Sequence, residues 1–173
     1  NKALTDIGNN NVNIFFAYSI NKESGKIYEE MKKYSEARLY YEKAEKWIKM
    51  LSKYDNYYQI TIDALKGFSY YYENKTNLAA DYFDLCQKKL MQLGMPKNPA
   101  LTEAYFLIIN YRLLNDNIHD LDIYLRVISE ILLRYYKTND YHYVILDYYR
   151  GQYYSIIYDY EKAVTYFQKV SDN

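Results

Sequence analysis

A chain of 173 residues with 22 basic and 22 acidic side chains has no formal net charge, so it offers no electrostatic footprint for nucleic acid or an anionic membrane. Half of its residues are apolar, 26 are Tyr, and only five are Gly and two Pro, a composition that favours helix over loop. One Cys excludes an internal disulfide, and no apolar run approaches the ~20 residues that a membrane-spanning helix needs.

Residues 1–8 read as the end of a preceding helix, with Gly8 as its stop and GNNNVN as a polar connection. The chain begins at Asn1, so a fragment or a processed form of a longer protein is expected. The first helix then runs from about Val12 to Met31, and the second, with Ser35 as N-cap, runs to about Lys53. A second pair covers about Asn56 to Glu73 and, from a cap at Asn77, the stretch up to Gly94, where a left-handed stop is expected. Pro96 and Pro99 punctuate the next link. The third pair takes PALTEAYFLIINYRLL and then about Ile118 to Tyr136; the fourth opens at Tyr141 and closes near Val170. These are four helix pairs near 12–53, 56–94, 99–136 and 141–171, forming one domain over 1–173.

The pairs share a ruler. Gly25, Tyr28, Ala37, Tyr41 and Ala44 return as Gly67, Tyr70, Ala79, Phe83 and Cys86, and the spacing is 67 − 25 = 42. They return again as Gly151, Tyr154, Ala163, Phe167 and Val170. The third copy reads Ile109, Arg112, Leu121, Leu125 and Ile128, apolar but without the glycine. Small residues are needed where two helices of a hairpin approach most closely, and the aromatics fill the gaps beside them. One hairpin cannot bury its apolar face alone, so stacked hairpins are expected. Cys86 takes a small-residue place and is read as buried structure.

No catalytic constellation emerges. GKIY lacks the upstream glycine and the Ser or Thr of a phosphate loop, and HExxH and CxxC are missing. His119 with Asp120 and Asp122 reads as a turn into a charged helix start, and His142 as a surface or interface residue. The chain is expected to be no enzyme, with no cofactor and no metal. Its remaining chemistry is recognition.

This ruler resembles the signature of the tetratricopeptide family over nearly the whole chain. The resemblance implies an all-α fold, a right-handed TPR-like superhelix of helical hairpins, here with a repeat of 42 residues. In such a superhelix the first helix of each pair lines the concave face. The inward places are then Ser19, Lys22, Lys26, Glu29 and Glu30; Thr61, Ala64, Phe68, Tyr71 and Tyr72; Glu103, Phe106, Asn110, Leu113 and Leu114; and Ile145, Tyr148, Gln152, Ser155 and Ile156. Asn110 and Gln152 are candidates to pair with a peptide backbone. Phe68, Tyr71, Tyr72, Phe106 and Tyr148 would form an aromatic shelf, and Lys22 and Lys26 would hold a carboxylate. The two lysines resemble part of the carboxylate clamp of chaperone-binding tetratricopeptide domains.

EAYFLI at 103–108 and YEKAVTYFQKV at 160–170 resemble the bacterial peptide-sensing regulators of the Rap, NprR, PlcR and PrgX group. Repeats of this length are also similar to those of kinesin light chain. The regulator resemblance implies a cytoplasmic receptor whose peptide lies in the concave groove, held partly by asparagines, with Asn110 as the residue carried over. A DNA-binding or effector segment would precede residue 1. The alternative expectation is a scaffold that binds a protein partner through the same groove without a signalling peptide. Neither reading has this segment itself binding nucleic acid or a membrane. The last hairpin ends at Asn173 with no trailing helix, so a cap outside the sequence or a homodimer through a terminal repeat is expected there.

Overall fold

The computed structural model describes residues 2–50 and 55–172, with side chains from residue 12 onward except that of residue 55. Among the described residues it is all-helical: α1 (Lys2–Glu30), α2 (Tyr34–Ile48), α3 (Asp55–Tyr72), α4 (Thr76–Gln92), α5 (Thr102–Leu114), α6 (Leu121–Tyr135), α7 (Tyr141–Ile156) and α8 (Tyr160–Ser171). A 3-10 turn at Pro99–Leu101 leads into α5. The chain divides into two compact units, Asn1–Lys89 and Leu90–Asn173.

Each first helix closes with the same turn. The amides of Lys33, Lys75, Asn117 and Asp159 donate to the carbonyls of Tyr28, Tyr70, Arg112 and Tyr154, at 2.8, 2.9, 2.9 and 2.9 Å. The residue before each of those amides is left-handed: Lys32 (φ 58°), Asn74 (φ 59°), Asp116 (φ 51°) and Tyr158 (φ 65°). None of the four is glycine, although Asn and Asp tolerate this region better than Lys or Tyr do. The turn also fixes where the next helix begins, because Lys33, Lys75 and Asp159 carbonyls accept from Ala37, Ala79 and Ala163. This corrects two expected caps. Lys33, not Ser35, flanks the start of α2, without a side-chain cap, and α4 already begins at Thr76, ahead of Asn77. Gly94 does stop α4 in the left-handed region (φ 72°), with Met95 donating to the Leu90 carbonyl at 2.8 Å.

A third correction concerns the start of the chain. α1 runs through Gly8 and GNNNVN, where a stop and a polar connection were expected. A single glycine costs about 1 kcal/mol in a helix and Asn less, so without proline nothing there forbids helix. At the other end of the first pair, α2 closes at Ile48; the expected extension to Lys53 includes residues 51–53, outside the described residues.

In the first unit α1 packs on α2, α2 packs on α3, and Gly67 brings α3 against α4. In the second unit α5 packs on α6 and α7, α6 on α7, and α7 on α8. The glycines mark the closest crossings. A Cβ on Gly25 would lie 2.3 Å from the Tyr41 ring, on Gly67 2.9 Å from the Phe83 ring, and on Gly151 2.6 Å from the Phe167 ring. Next to each crossing two tyrosines stack: Tyr28 on Tyr40 (5.0 Å), Tyr70 on Tyr82 (5.5 Å) and Tyr154 on Tyr166 (5.5 Å). The α5/α6 pair differs. Ile109 and Leu125, both buried, take the places of glycine and aromatic, and the Arg112 guanidinium lies 5.2 Å over the Tyr124 ring in place of a stack. Cys86 is buried and directs its thiol at the Ile60 carbonyl (3.4 Å); burial pushes the thiol pKa well above its ordinary value, so it is an inert core residue.

Candidate functional site

In the second unit α5 and α7 run side by side, and with α8 they enclose a groove of about 260 Å³. Its wall is Asn110, Leu113 and Leu114 from α5, Gln152, Ser155 and Ile156 from α7, and Phe167 from α8. The two carboxamides singled out in the sequence therefore share one cavity. Gln152 Nε2 donates to the Tyr148 hydroxyl at 3.1 Å, which aligns the amide along α7. Tyr148 is 44% exposed beside it, and its ring lies 6.2 Å from that of Phe167. The arrangement pairs hydrogen-bonding amides with an aliphatic and aromatic floor, the chemistry that an extended peptide's backbone and side chains require.

Phe167 was read from the sequence only as the ring that packs against Gly151. It is also 37% exposed and reaches the groove. The ruler carried no signal for this, since Tyr41 and Phe83 at the same place are fully buried.

The other candidates divide. Phe68 is 2% exposed, its ring 5.2 Å from Phe83 and 5.6 Å from Tyr72, and Phe106 is 8% exposed, stacked on His142 and tilted against Tyr149. Both are core residues with no face left for a partner, which corrects the expected shelf. Apolar rings at inward places pack against the adjacent helix whenever that helix comes close. Tyr71 is half-buried and Tyr72 is 46% exposed, so the shelf of the first unit reduces to tyrosine. Lys22 and Lys26 both lie beside Glu23, at 3.2 and 3.4 Å, so neither is a bare cation awaiting a carboxylate.

Two further clefts are lined by internal ion pairs. In the first unit about 440 Å³ lies between Glu45, Lys49, Asn56, Gln59, Asp63, Lys66, Tyr82, Leu85 and Lys89. There Lys66 meets Glu45 at 2.5 Å, Lys49 meets Glu45 at 2.6 Å, and Lys89 meets Asp63 at 2.7 Å. These two lysines hold the Glu45 carboxyl below the ordinary carboxylate range, against the opposing effect of its own burial. In the second unit Arg150 bonds Ser129 (2.6 Å) and Asp147 (3.1 Å) beside a cleft of about 280 Å³. Lys66 and Arg150 hold corresponding places, as do Asp63 and Asp147, and Glu45 and Ser129. Both clefts read as seams between neighbouring helices.

His142 is the second residue of α7, where the Asp140 carboxylate accepts its backbone amide at 3.0 Å. That bond and the imidazole contact lower the Asp140 pKa. His119 lies 2.7 Å from Asp120 at an exposed turn. Among the described residues no group of three or more His, Cys, Asp or Glu is gathered as metal ligands, and no helix is long and apolar enough to cross a membrane. No family model matches the chain, and neither a curated protein nor a solved structure does.

Proposed function

We propose that this chain is a binding module of the tetratricopeptide type, a superhelix with a 42-residue repeat, that takes an extended peptide in the groove between α5 and α7. The single observation that carries the reading is that Asn110 and Gln152, on different helices, line one cavity with Leu113, Leu114, Ile156 and Phe167. The repeat assignment is supported by the closing turns, whose left-handed residues fall at 32, 74, 116 and 158. It is supported also by the three glycine–aromatic crossings. In the fuller form of this reading the module is the cytoplasmic ligand-sensing part of a bacterial peptide-responsive transcriptional regulator. Its role is recognition, without catalysis.

The test is a selection of short random peptides against the chain, followed by calorimetry of the selected peptide. Asn110→Ala should weaken binding by roughly 0.5–1.5 kcal/mol, the net worth of one hydrogen bond. Gln152→Ala should do the same, with both variants melting as the parent does. Selected peptides whose affinity is indifferent to both substitutions would place the peptide elsewhere and end this reading.

A further inference from the structure

Glu29, in the last turn of α1, has no carboxylate at the corresponding place of the other three hairpins. The corresponding places hold Tyr71, Leu113 and Ser155. Its Oε1 is shut away from solvent with no hydrogen-bond partner. Carboxylate oxygens are seldom left so, because desolvating an ionised oxygen without a partner is costly. The groups around it come from three helices. Lys26 and Glu30 face it from α1, Tyr41 and Arg38 from α2, and Tyr72 from α3.

The nearby cations are already engaged. Arg38 bonds Glu73 at 2.8 Å and the Ser69 hydroxyl at 3.1 Å, and stands 4.2 Å over the Tyr70 ring. Lys26 lies 3.4 Å from Glu23. Beside the carboxyl stands an aromatic wall, in which Tyr34 stacks on Tyr72 (6.1 Å) and Tyr72 on Phe68 (5.6 Å). A desolvated carboxylate beside a tyrosine that keeps 46% of its surface exposed is a pairing that recognises an organic cation, through charge-assisted hydrogen bonds and contact with the ring.

We propose that Glu29, with Tyr72 and Tyr34 as its wall, receives a basic side chain, ammonium or guanidinium, of the partner. This rests on the reading of the chain as a peptide- or protein-binding module and adds a site in the first unit with its own ligand chemistry. The cation supplies the partner that Oε1 lacks, and the carboxyl loses its proton to solvent as the pair forms. Burial supports this, since it lifts the Glu29 pKa to about 7 against the opposing effects of Lys26, the Tyr41 hydroxyl and Arg38.

The experiment titrates the chain with N-acetyl-arginine methylamide and with its lysine analogue, using the norleucine analogue as the neutral control. The Glu29 carboxyl carbon is followed by NMR across pH. Saturable binding of at least one basic amide is expected, with the Glu29 midpoint falling by about one unit or more on saturation. Glu29→Gln should weaken that binding about tenfold, a charge-assisted bond's worth. Asn110→Ala should leave it unchanged, which separates this site from the α5/α7 groove. Equal binding by Glu29→Gln, equal binding of the norleucine amide, an unmoved midpoint, or no saturation up to the solubility limit would each overturn the proposal. If Asn110→Ala still weakened a selected peptide, the groove reading would stand without it.

Discussion

At the crossing of α1 and α2 a glycine faces a tyrosine ring, with Glu29 one turn further on. At the crossing of α5 and α6 the corresponding places hold Ile109, Leu125 and Leu113, all buried. The two hairpins fill the same space by opposite divisions, nothing plus a large ring in one and two medium aliphatics in the other. What recurs at a crossing is a buried pair of side chains that fit each other, not a fixed residue type. The third place differs in kind, since it takes an ionisable group in one hairpin and a hydrocarbon in the other.

Ile109→Gly tests the division most severely. With Leu125 opposite instead of a ring, the lost side chain leaves a cavity, and the glycine weakens α5. A loss of about 4 kcal/mol is expected in urea unfolding. A loss below about 1 kcal/mol would mean that Ile109 and Leu125 do not share the crossing.

Glu29→Gln tests the third place. A carboxyl whose folded pKa lies near 7, above its ordinary 4.5, binds its proton more tightly in the folded chain than in the unfolded one. Its contribution to stability is therefore fully present below about pH 4.5 and is lost as pH rises through 7. The full shift corresponds to roughly 3 kcal/mol. Relative to the parent, Glu29→Gln should gain up to that amount between pH 5 and pH 8. A parent–variant difference that is flat with pH would show the carboxyl to be solvated.

The smallest effect is expected from Gly25→Ala. Its methyl would meet the buried Tyr41 ring at 2.3 Å, so the ring must shift, while the helix gains from losing a glycine. A net cost of about 1–2 kcal/mol is expected in thermal melts. Combined with Tyr41→Leu, which borrows the α5/α6 solution, the cost should fall short of the sum by about 1 kcal/mol. Strict additivity would separate the two residues.

Much of the hairpin logic was legible in the ruler. Gly25, Ala37 and Tyr41 were readable because a close crossing constrains residue size at fixed spacing, and size is written in the sequence. Asn110 and Gln152 were singled out through the tetratricopeptide resemblance, which gives the places expected to face inward. The starts of α2 and α4 were not legible, because the left-handed turns at Lys32 and Asn74 set them, and Lys32 does not advertise that conformation. That Phe68 and Phe106 are buried against neighbouring rings was not legible, since a register gives the direction of a side chain but not what already occupies that direction.

The sequence by itself determined the all-helical class, the pairing of helices and the small and large places at their crossings, because these follow from local propensity and from period. Only the tertiary structure decided that Asn110 and Gln152 share a cavity with Phe167, that Phe68 is spent in the core, and that Glu29 Oε1 is shut away from solvent. Enclosure and desolvation are set by what other helices bring within a few ångströms, and residues far apart in the chain contribute to them.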